Sequence, residues 1–218
     1  MGSSSIGMSP FFIQVAASVV VFFINNKLKT YGGNIAIEAY AIANTLVMII
    51  IMVMVGGLTQ GMQPIVGYNY GAKRIARVKE TLFYTIKVGG MVVGCVGLVI
   101  GLLLPELIVK PFNPSPPLAA ETAKALKIIT IMLPFVGYQI VVTNFFQCIG
   151  MAGKSIFLSL TRQFLMLLPA LFILPKFFGI NGVWVSLPTA DFVATVLTAV
   201  LFYLQVRSFR KMELWMEI

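Results

Sequence analysis

Asp191 is the residue most able to do chemistry in this chain. It is the sole aspartate, and it lies in the apolar stretch VWVSLPTADFVATVL, three residues after Pro188. A carboxylate in an apolar run is costly, so it invites an explanation. It could bind a cation or a proton, or face a polar cavity. The alternative is a carboxyl hydrogen-bonded to a neighbouring helix, near backbone freed by Pro188. Glu38 could line the outer end of a pathway, or it could simply be a carboxylate stabilised by a helix N-terminus. Arg162, in SLTRQF, is read as snorkelling to the cytosolic face; pairing with an acid is the alternative. Gln14, Asn44, Gln139, Asn144 and Gln147 are uncharged hydrogen-bonding groups in apolar surroundings. Together they could hydrate a cavity; singly, each reads as interhelical glue.

Catalytic constellations fail. The chain has no His, which removes a Ser/His triad and the commonest metal ligand and proton shuttle. The segment CIGMAGKS ends like a phosphate-binding loop, but Cys148 stands where that motif needs Gly and no strand precedes it. One aspartate cannot build an intramembrane aspartyl pair. No catalytic residue, metal ligand or organic cofactor is expected. Cys95 and Cys148 both fall in apolar runs and read as two small buried residues without a disulfide.

The elements that hold these residues read as membrane spans. Apolar residues make up 59% of the chain and charged ones 11%, against roughly 45–50% and about 25% in soluble domains. Mean hydropathy is +0.95. The net charge of +9 does not point to nucleic acid, because the basic residues gather at the ends of apolar runs and form no stripe. The opening MGSSS lacks the basic region of a signal peptide, so the first apolar run is read as a retained span.

At about 20 residues per crossing, the pattern predicts six helices. They cover about 8–28, 34–58, 80–109, 119–147, 155–176 and 181–206. Breakers separate them: YGGN, the stretch 57–74, PFNPSPP, GMAGKS and FFGING. Pro117 opens the fourth helix, where Glu121 and Lys124 read as a surface pair. Pro10, Pro134, Pro169 and Pro188 predict bends in or near four of the helices. The third carries Gly90-xxx-Gly94 and Gly97-xxx-Gly101, small residues that let backbones approach.

Basic residues set the orientation. The side holding the N-terminus carries Lys73, Arg74, Arg77, Lys79, Lys154, Arg207, Arg210 and Lys211. The other carries Lys27, Lys29, Lys110 and Lys176, with Lys124 and Lys127 if the fourth helix starts late. The richer side is expected to be cytosolic, with both termini inside.

The stretch GLTQGMQPIVGYNYGAKR at 57–74 is the most specific in the chain. Gly and Pro end a helix, Tyr suits the interface, and Lys73 and Arg74 anchor on the cytosolic side. It is expected to be a cytosolic loop, with Gln63, Pro64, Tyr68, Tyr70 and Gly71 controlling how the flanking helices reorient. The plainer reading is a turn with interface anchors.

This stretch closely resembles the connection between the second and third helices of a lobe in multidrug and toxic compound extrusion (MATE) transporters. The match is to the C-terminal lobe of the bacterial branch. IGMSPFFIQ, FFQCIGMAGKS, LTRQFLMLLPALFILP and GINGVWVSLPTADF support it along nearly the whole chain. The resemblance implies one all-α, polytopic, six-helix lobe of a two-lobe exporter. Such exporters move small organic, often cationic, compounds by alternating access, coupled to sodium or protons. It also implies a bacterial inner membrane and a missing N-terminal lobe, or a second copy of this chain. Some family branches hold the coupling cation with acids on the first and fourth helices of this lobe. Here the first has Gln14 and residues 128–147 have no acid, so Asp191 is the remaining deep carboxylate. The rivals are a lipid-linked oligosaccharide flippase, expected to have a more basic cavity, and a lobe that only assembles with a partner.

Overall fold

The computed structural model describes the backbone of residues 3–216, and side chains from 14 to 207 apart from 16 and 54–56. Those of Pro10, Arg210 and Lys211 lie outside that set. Among the described residues all regular structure is helical. Unpaired peptide groups cannot be left in lipid, so a chain this apolar closes its hydrogen bonds within helices.

The first helix, α1 (Ser3–Val53), is two helices joined at Gly33, whose φ of 67° and ψ of −158° are not helical. Glycine alone takes that conformation cheaply. The second part continues through a π-helical turn (Met54–Thr59) into α2 (Gln60–Gly71). Then come α3 (Ile75–Thr85), a π-helical segment (Ile86–Val93) and α4 (Gly94–Leu103). A short α5 (Pro105–Val109) leads to α6 (Pro116–Thr130) and α7 (Leu133–Cys148). The chain ends in α8 (Ala152–Leu160), a π-helical segment (Thr161–Leu167), α9 (Leu168–Phe178) and α10 (Ile180–Met216).

Among the described residues four helices are long and apolar enough to cross a membrane, or five with α6 and α7 taken as one span bent by 53°. Pro134, at the start of α7, accounts for that bend. The third expected helix begins earlier, at Ile75, because Ile75, Val78 and Leu82 bury one face while Arg77, Lys79 and Glu80 hide the pattern from a hydropathy count. It ends earlier too, at Leu103, since Pro105 pushes Leu104 out of the helical region.

The expected loop at 57–74 is corrected. It is helix as far as Gly71, and the turn is confined to Ala72–Arg74. Gly57, Gly61, Gly67 and Gly71 have nothing within 4 Å of where a Cβ would stand, so packing does not call for them. Helix wins because unpaired backbone at the membrane boundary costs more than glycine's helix penalty of about 1 kcal/mol. Pro64 lies within α2 and forgoes one hydrogen bond. The turn closes with Ala72 N–H donating to Tyr68 O and Arg74 N–H to Asn69 O.

The glycine pattern of the third helix does pack. A Cβ on Gly94 would lie 2.5 Å from Pro134 Cα, and one on Gly90 3.0 Å from the Tyr138 nitrogen. On Gly101 it would lie 2.6 Å from Thr130 Oγ1. The π-helical segment and α4 therefore lie directly on the bend between α6 and α7. Cys95, off that face, is exposed and Cys148 is half-buried, both as free thiols; the expectation of two buried cysteines fails.

Two apolar clusters form the core. One joins Leu28, Ala39, Leu126, Leu133, Leu171 and Trp184. The other joins Met62, Val66, Leu82, Val142, Phe145 and Leu158. Glu121 accepts a hydrogen bond from Trp184 Nε1 at 2.8 Å, which replaces the expected Glu121–Lys124 pair.

Candidate functional site

Polar groups collect where the two clusters meet. On α7, Gln139 falls between Leu133 of the first cluster and Val141 of the second. On α10, Asp191 follows Ala190 of the first cluster, and Leu197 packs on the second. Arg162 stands between Leu158 and Leu167 in the same way. Helices that run through both clusters thus bring these three residues to one level.

Arg162 Nε donates to Asp191 Oδ1 at 2.5 Å. The Asp191 side chain is 11% exposed and that of Arg162 38%. The snorkelling expectation is therefore corrected to the alternative, pairing with an acid. The seam is further tied through backbone. Gln139 Nε2 donates to the Asp191 carbonyl at 2.7 Å and also bonds Thr195 Oγ1. The Thr195 hydroxyl donates to the same carbonyl at 2.7 Å. Arg162 belongs to the π-helical segment, whose wider turn sets where its side chain emerges.

Arg162 also lines a cavity of about 500 Å³, within the range of small-molecule sites. Four of the amides singled out in the sequence, Gln14, Gln139, Asn144 and Gln147, share its wall. Asn144 Nδ2 donates to the Ile140 carbonyl and Gln147 Nε2 to Ser155 Oγ, both at 2.8 Å. Asp191 is not on the wall; it sits behind Arg162. Glu38 is exposed and Asn44 half-buried on α1, and neither lines this cavity. Gln63, Pro64, Tyr68 and Gly71 are exposed on α2, while Tyr70 packs against the second apolar cluster.

Sequence reasoning missed Thr143, Ser159, Gln163 and Thr198 on the wall. Helical spacing could have found three of them. Gln139, Thr143 and Gln147 recur every four residues, and Ser159 precedes Arg162 and Gln163 by three and four. It also missed Asn69, buried in α2 with Nδ2 bonded to the Ile65 carbonyl.

Comparison with known proteins adds the frame. A family model described as MatE matches residues 10–173. The multidrug export protein MepA of Staphylococcus haemolyticus is 29% identical over 198 residues, covering 91% of this chain and 43% of that protein. MepA of Staphylococcus aureus is 26% identical over 200 residues with the same coverage of 91% and 43%. A MATE in the bent conformation has a TM-score of 0.87 at 20% identity, covering 94% of this chain and 45% of the other. An inward-facing multidrug resistance MATE family transporter gives 0.86 at 20%, covering 94% and 47%. At that identity the structures speak for the fold. The chain spans less than half the length of these relatives.

Proposed function

The chain belongs to the MatE family, and we propose that it is the C-terminal lobe of a multidrug exporter in a bacterial inner membrane. Its substrates are small organic compounds, moved by alternating access in exchange for sodium or protons. Dividing α1 at Gly33 and joining α6 to α7 gives six crossings, since 55 residues of helix at 1.5 Å each far exceed one bilayer. That count is consistent with one lobe of a two-lobe exporter.

The observation that carries the reading is the cavity of about 500 Å³, walled by Gln14, Gln139, Asn144 and Gln147 on otherwise apolar helices. A polar hollow at this depth has little structural use, because each unpaired polar group there is costly. Opposite it we place a second lobe, either the N-terminal half or another copy. Asp191 is the deep carboxylate that would answer to the coupling ion, acting through its pair with Arg162 rather than as an open cation site. A lipid-linked oligosaccharide flippase would need a more basic wall than one guanidinium supplies.

The test is dye export from efflux-deficient cells expressing the chain alone and with a first-lobe partner. Export is expected with the partner. No export in either arrangement would remove the exporter reading, and export by the chain alone would remove the half-transporter part of it.

A further inference from the structure

The charge on the cavity wall is of one sign. Of the residues that line it, Arg162 alone is ionised; the rest are amides, hydroxyls and aliphatic side chains such as Gln163, Ser159, Thr143 and Ile51. The acid that balances it, Asp191, is set behind the wall and has its Oδ1 engaged. A solute entering from the cavity meets the guanidinium first.

The guanidinium is also incompletely used. Among the described residues it makes one hydrogen bond, from Nε to Asp191 Oδ1. Arginine carries five N–H donors in a planar fork, so the four on its Nη nitrogens have no acceptor among the described residues. Guanidinium forks match oxyanions in geometry as well as charge. An arginine kept only to neutralise Asp191 would be satisfied on both edges and withdrawn from the cavity, yet this side chain is 38% exposed.

We propose that this cavity takes its substrate by an oxyanion on an apolar body, such as an aromatic carboxylate, held by the Nη groups of Arg162. The inference rests on the exporter reading and narrows its substrate class. Asp191 is then a positioning residue. It holds Arg162 by Nε and competes with the incoming anion for the same charge. Gln139 and Thr195 in turn fix the Asp191 backbone.

The test is direct binding to the 218-residue chain in phosphatidylcholine nanodiscs, with empty discs as blank. The probes are radiolabelled 1-naphthylacetate, its primary amide and 2-(1-naphthyl)ethylamine. The carboxylate is expected to bind at least about tenfold tighter than the amide, and the amine weakest. Arg162→Gln should erase the preference. Because that change strands Asp191, the double variant Arg162→Gln/Asp191→Asn is measured too, and it should behave alike. Asp191→Asn alone should tighten the carboxylate severalfold, since the competing charge is gone; a structural pair would not produce that gain. Phosphatidylglycerol discs identify the source of the oxyanion. Weaker probe binding there in the native chain, but not in the double variant, makes it a lipid headgroup; no weakening makes it a dissolved solute.

Amine binding equal to or tighter than carboxylate binding would overturn the proposal. So would a carboxylate preference that survives in the double variant, or no binding by any probe. If the preference fails while two-lobe cells still export dye, the site falls and the exporter stands. If the preference holds without export, the reverse is true.

Discussion

Trp184 donates its indole N–H to Glu121 Oε1 at 2.8 Å while its ring stacks 6.5 Å from that of Tyr40. The contact joins α10 to α6 across the first apolar cluster, and Trp184 is completely buried there. A carboxylate that caps a buried indole is a tie between helices distant in sequence. Trp184→Phe keeps an aromatic ring, though a smaller one, and removes the donor. It is expected to cost about 1–3 kcal/mol, the range for hydrogen bonds to charged groups and stranded acceptors. Glu121→Gln keeps an acceptor and should lie within about 0.5 kcal/mol of the native protein. Unfolding in detergent followed by far-ultraviolet circular dichroism checks both.

The glycine seam gives a sharper contrast. Gly94→Ala would place a Cβ 2.5 Å from Pro134 Cα, and a backbone atom cannot swing aside as a side chain can. We expect a loss of about 1–3 kcal/mol by overpacking. Gly61→Ala meets nothing within 4 Å and should be neutral or stabilising by up to about 1 kcal/mol, as alanine favours helix. Thermal unfolding of the two variants side by side measures the difference, and equal midpoints would refute the seam.

The Arg162–Asp191 pair predicts an asymmetry between two substitutions. Asp191→Ala leaves a guanidinium without its acid and should lower stability by about 1–3 kcal/mol, less than for a wholly buried pair because Arg162 opens on the cavity. Asp191→Asn retains an acceptor for Nε and should cost less than half as much. A larger loss for Asn than for Ala in detergent unfolding would show that the contact is not the source of the effect.

The orientation is open to labelling. In a background with Cys95 and Cys148 replaced by Ser, Lys73→Cys in the turn after α2 should be shielded from an impermeant maleimide in intact spheroplasts and react once they are lysed. Lys176→Cys near the end of α9 should react from outside. The basic residues predict this arrangement, and the opposite labelling pattern would invert it.

How much of this was legible in the sequence follows from the physics at each point. The apolar runs were plain, because a span needs about 20 such residues whatever its neighbours. The glycines of the third helix were legible as a packing face, since small residues at four-residue spacing line up on a helix. The stretch 57–74 was not, because glycine and proline mark breaks only where water can satisfy the freed peptide groups. The cavity was half legible. Gln14, Asn144 and Gln147 stood out as polar groups in apolar surroundings, but so did Asn44 and Glu38. Choosing among them needs the rotation of each helix about its axis. Pairing of Arg162 with an acid was weighed and set second, and the acid was not named, for the choice of Asp191 depends on a π-helical turn that no composition announces.

The two apolar clusters on either side of that pair have an electrical consequence. They act as insulation along the helices, and the cavity is a terminal at which Arg162 is left uncovered. Water supplies the shielding at that terminal, so whatever expels it raises the field at the pair. A neutral molecule that merely fills the hollow would therefore tighten the hold of Arg162 on Asp191 without touching the acid.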